Sequence, residues 1–376
     1  MDSSTPIRRQ SSLLEFSVVF TDRSLNSMSS SFQEVMCGLH EGLTEVYNTQ
    51  SCALIPGGGS YAMEAVARQF ARNEKVLVVR NGWFSYRWTQ IFDQSVTPSH
   101  AEIVKAQPDS EQADQQFSPA AIEDIVARIY AEKPRLVVSP HVETSAGLLM
   151  PDDYLKDIAK AAHDVGALFV LDCVASGALW VDMTEIGVDV LITAPQKGWT
   201  STPCAGVVML SQAAIGRLAE TNSDSFVLDL KKWHQIMEAY LNGGHAYHAT
   251  MPTDGLAQFY ETLLEVKSFG YANAKQAQIE LGTKLRQIVE QRGFKSLAAE
   301  GFKSPSVIVS HTERDDLKNG AAFAAEGVQI AAGVPLECGE SDAFKTFRIG
   351  LFGLDKLADI EGTITTFTNA LDKICD

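Results

Sequence analysis

The sequence has no cysteine pair at C-x-x-C spacing, no uninterrupted apolar run long enough to span a bilayer, and no net positive charge. Each absence removes a class of function. The six cysteines, Cys37, Cys52, Cys173, Cys204, Cys338 and Cys375, are scattered, and none sits in a Cys/His cluster of zinc-site spacing. No metal is expected, and reduced thiols in a cytoplasmic protein are. The most apolar stretch, GALFVLDCVASGALWV, is broken by Asp172 and Ser176. The first residues, MDSSTPIRRQSSLLEF, hold two arginines but no apolar core of signal-peptide length. No membrane association is expected. Asp and Glu outnumber Lys and Arg by 47 to 31, a net charge of -16. That balance disfavours nucleic acid and anionic lipid as partners, because their phosphates are repelled. Neither G-x-G-x-x-G nor the P-loop spacing occurs in the Gly-rich turn considered below, so a dinucleotide-binding dehydrogenase is set aside. Repeats and low-complexity segments are absent too.

What remains is an ordinary soluble composition, 45% hydrophobic and 21% charged, over 376 residues. That length suits one large and one small domain. Short apolar runs read as buried strands: KVLVVR (75–80), RLVVSP (135–140), ALFVLD (167–172), VDVLITA (188–194) and GVVML (206–210). Helical spacing appears between many of them, in 62–73, 119–133 and 151–166. The last begins with Pro and two acids and ends at Gly, as helices often do. Strands alternating with helices predict an α/β fold with a mostly parallel sheet covered on both faces. Beyond residue 255 the pattern changes. A long helical stretch, SPSVIVSH, TFRIGLFG and a closing amphipathic helix suggest a smaller α+β domain. The expected division is an N-terminal segment 1–30, a large domain 31–255 and a small C-terminal domain 256–376.

Ligands of open α/β sheets bind beyond the carboxyl ends of the strands. PGGGSYAME (56–64) leads glycines into a helix, a setting suited to phosphate, although a plain turn capped by Ser60 reads as well. NGWFSYRW (81–88) brings Trp83, Phe84, Tyr86 and Trp88, either as core or as a face for a planar ligand. HVETSAG (141–147) places His141, Glu143, Thr144 and Ser145 at another strand end. Asp172 ends ALFVLD, where an acid is costly unless it meets a partner. Lys197 follows VDVLITA, and a desolvated lysine of lowered pKa reacts with carbonyls. None of these signals is specific alone. A phosphate cradle, an aromatic plate, a hydroxyl, an acid and a lysine together describe pyridoxal 5'-phosphate (PLP), whose ring serves as an electron sink.

These segments resemble the class V, fold type I, PLP-dependent aminotransferases, in particular the alanine–glyoxylate, serine–glyoxylate and 2-aminoethylphosphonate aminotransferase group. LDCVASGAL…GVDVLITAPQKGW, PHVETSAG, NGWFSYR, YHATMP (247–252) and TFRIGLFG are similar to that group's motifs. The resemblance covers roughly residues 30 to 370 and implies a seven-stranded, mostly parallel sheet. It also implies transfer of an amino group from a small amino acid or aminophosphonate donor to a 2-oxo acid such as glyoxylate or pyruvate. By the same resemblance, Lys197 would hold PLP and move the substrate proton. Asp172 would meet the ring nitrogen, Phe84 and Val174 its two faces, and Thr144 its hydroxyl. Gly58, Gly59, Ser60 and Gln196 would hold the phosphate. Tyr247 and Thr250 would reach that phosphate from the partner of a homodimer with composite sites, and Arg348 would bind the substrate's anion as a fork. The chain departs from the group in places. It has Gly-Gly-Ser for Ser-Gly-[His/Thr], Phe84 for Trp or Tyr, Ser85 for Gly, and no Pro-Gly-Pro opening.

Two other readings stand beside this one. A PLP-dependent lyase or cysteine desulfurase of the same fold would use Cys338, ten residues before Arg348. A catalytically silent binding protein would need neither Asp172 nor Lys197, and both are present with Arg348. His141, His245 and His248 are read as structural hydrogen-bonding groups.

Overall fold

The computed structural model describes residues 13–375 except 96, 97 and 113. Seven strands form the central sheet: β1 (Ser51–Pro56), β2 (Lys75–Arg80), β3 (His100–Lys105), β4 (Leu136–Pro140), β5 (Leu168–Asp172), β6 (Val190–Thr193) and β7 (Ala205–Leu210). Their spatial order is β1-β7-β6-β5-β4-β2-β3. All five strands read from the sequence are present, and the helices at 62–73, 119–133 and 151–166 are found at Gly59–Phe70, Ile122–Glu132 and Asp152–Asp164. Strands β4, β5, β6 and β7 are buried along almost their whole length, as continuous apolar runs require.

Two strands lacked a readable signal. Strand β3 is an edge strand with no fully buried residue, and its His, Glu and Lys break any apolar run. Strand β1 is a short run placed directly before the glycine turn. Strand β7 is antiparallel to both β6 and β1, and every other pairing in the sheet is parallel. The segment between β6 and β7 contains no helix to carry the chain back across the sheet, so the chain turns and runs antiparallel.

The long helical pattern after residue 255 divides into Thr253–Phe269 and Tyr271–Gln291. Gly270 takes φ +95° between them, and the apolar periodicity on either side hides the break. Leu256, Phe259, Leu263 and Val266 of the first helix join the central-sheet core. Leu281, Leu285 and Val289 of the second join a separate core with Ile308, Phe347, Phe323 and Phe367. That core backs a three-stranded antiparallel sheet of Val307–His311, Thr346–Gly350 and Ala331–Ala332. A third cluster, including Val142, Ala175, Val307 and Val309, ties the two sheets together. Among the described residues no helix is long and apolar enough to cross a membrane.

Candidate active site

Strands β1, β2, β4, β5 and β6 all run the same way, so their carboxyl ends share one sheet edge. A cavity of about 520 Å³ opens there. Nine of the residues singled out above line it: Gly59, Ser60, Phe84, Thr144, Asp172, Val174, Gln196, Lys197 and Arg348. Residues 307–352 of the small sheet form the facing wall, with Val307, Ile330, Ala331, Gly350 and Phe352.

The turn after β1 is built for close approach. Gly57 takes φ +126°, where a Cβ would stand 2.5 Å from the Tyr61 ring. Gly58 is the N-cap of helix α1 (Gly59–Phe70) and offers no capping side chain. The first amides of α1 are therefore free for a ligand. Ser60 is inside the helix, so the plain reading of it as the cap is not realised. Its hydroxyl accepts a hydrogen bond from Arg87 Nη1 at 2.7 Å. A Cβ on Gly59 would meet Val174 Cγ2 at 2.7 Å, which packs the cradle against the turn after β5.

Asp172 is the last residue of β5, and its Oδ1 accepts from Val174 N at 3.0 Å. Burial raises its pKa to about 6; the Val174 amide opposes this and the charge of Glu143 adds to it. A carboxyl in this position is poised to become fully ionised when a cation reaches it. Lys197 lies in the turn after β6. Burial lowers its pKa, and the nearby Arg348 lowers it further. Its Nζ stands 4.9 Å from the centroid of the Phe352 ring. Beside it the buried Oε1 of Gln196 has no hydrogen-bond partner among the described residues. Arg348, in the strand Thr346–Gly350, spends its Nε on Ala332 O at 2.7 Å, which leaves both Nη groups to form an end-on fork. Burial lowers its pKa, an effect that Glu143 opposes.

The residues present fit PLP. Uncapped helix amides and the Ser60 hydroxyl, which accepts from Arg87 and keeps its own proton to donate, suit a phosphate. Asp172 gains when a cationic nitrogen arrives, and Lys197 is desolvated enough to be a nucleophile. Of the aromatic group only Phe84 lines the cavity. Trp88 is core, packed on Phe92, and Trp83 packs on Tyr86. His141 is buried, bonds Ser176 Oγ at 2.8 Å, and is held neutral by burial, its pKa lowered to about 3. His248 bonds Phe226 O. Gly58, the N-cap residue, is not among the cavity's lining residues. Tyr247 and Thr250 are exposed, lie 3.4 Å apart and are not among the cavity's lining residues. Tyr247 lines a surface hollow with His245, Phe16, Val18 and Met28.

Three groups have roles that the sequence alone does not assign. Arg87 and Phe352 line the cavity, and Glu143 lies behind its wall. Arg87 closes the NGWFSYR segment, where residue type alone gives it no role. Helical spacing was its signal, since it follows Phe84 by three residues and so shares its face.

A doubly covered, mostly parallel sheet with an acid, a lysine and a phosphate cradle at one edge defines a PLP enzyme of fold type I. The chain belongs to the aminotransferase class-V family, which it matches over residues 9–352. It is a PLP-dependent aminotransferase. It is 27% identical over 356 residues to a 2-aminoethylphosphonate–pyruvate transaminase of Pseudomonas aeruginosa, covering 93% of this chain and 90% of that one. Alanine–glyoxylate aminotransferase from Nostoc sp. superposes with a TM-score of 0.78 at 20% identity, covering 94% of this chain and 89% of that one. Ureidoglycine–glyoxylate aminotransferase from Bacillus subtilis does so with a TM-score of 0.76 at 20% identity, covering 93% and 86%.

The geometry disfavours the desulfurase alternative. Cys338 is buried, does not line the cavity, and its Sγ lies 3.5 Å from Arg80 O. Burial, followed by the charges of Glu143 and Glu340, pushes its thiol up to about 12, so almost no thiolate exists near neutrality. Cys338→Ser is expected to leave transamination rates unchanged. Sulfide released from cysteine by the wild type and lost in this variant would restore the desulfurase reading.

Proposed function

We propose that this enzyme moves an amino group from a small anionic donor, an amino acid or an aminophosphonate, to a 2-oxo acid such as pyruvate or glyoxylate. One observation carries the reading: Lys197 and the open fork of Arg348 line the same cavity as Asp172. The names of the relatives above supply the donor and acceptor classes. When bound, PLP supplies an electron-poor ring that takes up the charge left as a substrate C–H bond breaks. This chain's residues do the rest. Lys197 holds the cofactor and carries the proton to and from the substrate α-carbon. Asp172 holds the proton at the ring nitrogen. Phe84 and Val174 fix the ring's faces, and Thr144 bonds its hydroxyl. The amides of Gly58, Gly59 and Ser60, with Gln196 and Arg87, hold the phosphate.

The enzyme is proposed to be a cytoplasmic homodimer. Tyr247 and Thr250 then reach the partner's phosphate, which accounts for a tyrosine that is 68% exposed beside the apolar residues Phe16 and Val18. The buried, unbridged thiols of Cys52, Cys173 and Cys204 suit a reducing compartment. We propose the same division into an N-terminal segment, a large and a small domain, with the line between the last two moved from 255 to Gly270, because helix Thr253–Phe269 packs on the central-sheet core and Tyr271–Gln291 on the other.

A half-reaction screen tests the substrate class. Holoenzyme is mixed singly with alanine, serine, aspartate, a ureidoglycine-like donor and 2-aminoethylphosphonate, and the visible cofactor absorbance is followed. Bleaching by one or more is expected, and indifference to all of them sinks the reading. Arg348→Lys should raise the KM of the reactive donor about 10- to 100-fold, since a lysine cannot make the paired charged bonds of the fork. An unchanged KM would move the anion site elsewhere.

A further inference from the structure

We propose that Glu143 is a positioning residue: it fixes the cofactor-facing start of a helix and leaves Arg348 unpaired for substrate. The inference rests on the roles given above to Phe84 and Arg348. Glu143 is wholly buried, yet it contacts no ligand-facing space of its own. Its two oxygens accept five hydrogen bonds. Oε1 takes Phe84 N at 3.2 Å, Ser145 N at 3.1 Å and Ser145 Oγ at 2.7 Å. Oε2 takes Ser85 N at 2.9 Å and Ser85 Oγ at 2.7 Å.

Phe84 and Ser85 belong to the first turn of the helix Trp83–Ser95. A carboxylate there satisfies amides that no helix neighbour can reach, and its charge suits that end of the helix dipole. Ser145 extends the clamp by accepting from Trp83 N at 2.9 Å. Gly82 shows how tight the clamp is: a Cβ there would stand 2.1 Å from Ser145 Oγ and 2.8 Å from Glu143 Cγ. The plate that faces the cofactor ring is therefore set by a carboxylate from a different strand end.

The second half of the proposal is electrostatic. Arg348 is largely buried, and among the described residues it forms no ion pair. Glu143 is the anion whose charge is felt at Arg348. All its lone pairs are directed at the clamp, so it offsets the guanidinium's charge without occupying the fork. A direct ion pair would have competed with substrate. A neutral residue would have left a buried, uncompensated cation.

Glu143→Gln keeps the shape but turns an NH2 toward donors. Asp189→Asn is the matched control. Asp189 is also buried and also accepts a backbone amide (Phe169 N) and a hydroxyl (Ser211 Oγ), with His163 Nε2 at 2.8 Å as a third partner, at the opposite end of the sheet's strands from the cavity. Three quantities are compared in holoenzyme: the Kd for PLP, the visible circular dichroism of the bound cofactor, and the KM of the reactive donor. For Glu143→Gln, a tenfold or larger rise in Kd and in KM is expected, together with altered dichroism, and Asp189→Asn should change thermal stability only. If Glu143→Gln also changes stability alone, the proposal is overturned. Should Glu143→Gln fail to fold, Ser145→Ala decides. It removes one bond to Glu143 and the acceptor of Trp83 N, and should raise the PLP Kd at least threefold with altered dichroism; wild-type values overturn the proposal. A wild type that binds no PLP overturns both this proposal and the functional reading, whereas variants that match a PLP-bound wild type overturn this proposal alone.

Discussion

Replacing Lys197 with alanine is expected to remove the visible band of the lysine-bound cofactor from the reconstituted enzyme and to lower turnover by about 10⁴-fold or more. Two losses add. The amine that ties the cofactor to the chain disappears, and so does the base that moves the substrate proton, a role worth roughly 10²- to 10⁴-fold by itself. Folding should survive, because the side chain makes no ion pair among the described residues and is held in an unfavourable, desolvated setting. Spectra, single-turnover kinetics and thermal melts on one preparation check all three points. A variant that keeps its absorbance and its rate would assign the covalent role to another residue.

Asp172→Asn should have opposite effects on stability and on catalysis. In the apoprotein, burial raises the pKa of Asp172 from 3.8 to about 6. The unfolded chain gives up this proton near 3.8 and the folded chain only near 6. Between those values the native state binds more protons, so stability falls as pH rises, and above about pH 6 the penalty is complete. That penalty is of the order of 2–3 kcal/mol at pH 7–8. Asparagine cannot ionise and escapes it. Apo Asp172→Asn should therefore unfold at higher denaturant concentration than apo wild type at pH 8, and the advantage should vanish near pH 4. Turnover should fall about 10³-fold, because nothing then holds the proton at the ring nitrogen. Adding PLP should stabilise the wild type more than the variant, since only the wild type trades an uncompensated carboxylate for an ion pair. An apo variant less stable than wild type at pH 8 would contradict this account.

Much of the site was legible because each of its groups follows a strand. Asp172 closes an apolar run, and Lys197 lies three residues beyond the next one, VDVLITA. The glycines of 57–59 announce a turn in any context. Arg87, Glu143 and Phe352 act through tertiary neighbours. Glu143 is the clearest case: its value lies in amides 58 and 59 positions away, and no local pattern records them. The same limit applies to the fold. Strands β4 to β6 are buried on both faces and say so in their composition, whereas β3 is an edge and reads as a polar connection. The direction of β7 was hidden because strand composition does not encode polarity; only the helix-free connection before it does. The break at Gly270 was masked by two helices that each bury one stripe, against different cores.

The placement of β7 also sets an order of events during synthesis. Strand β1 lies at a sheet edge, and its sole neighbour in the sheet is β7, with Ser51 opposite Leu210. The cradle at Gly57–Ser60 hangs from β1. While the ribosome has delivered only the first half of the chain, β1 has no strand to pair with, and the anion site has no fixed edge to stand on. Closing a loop of that length carries an entropic cost that local helix formation does not. The nascent chain thus gains its affinity for the cofactor late, after β7 has emerged, and Lys197 has left the ribosome by then as well.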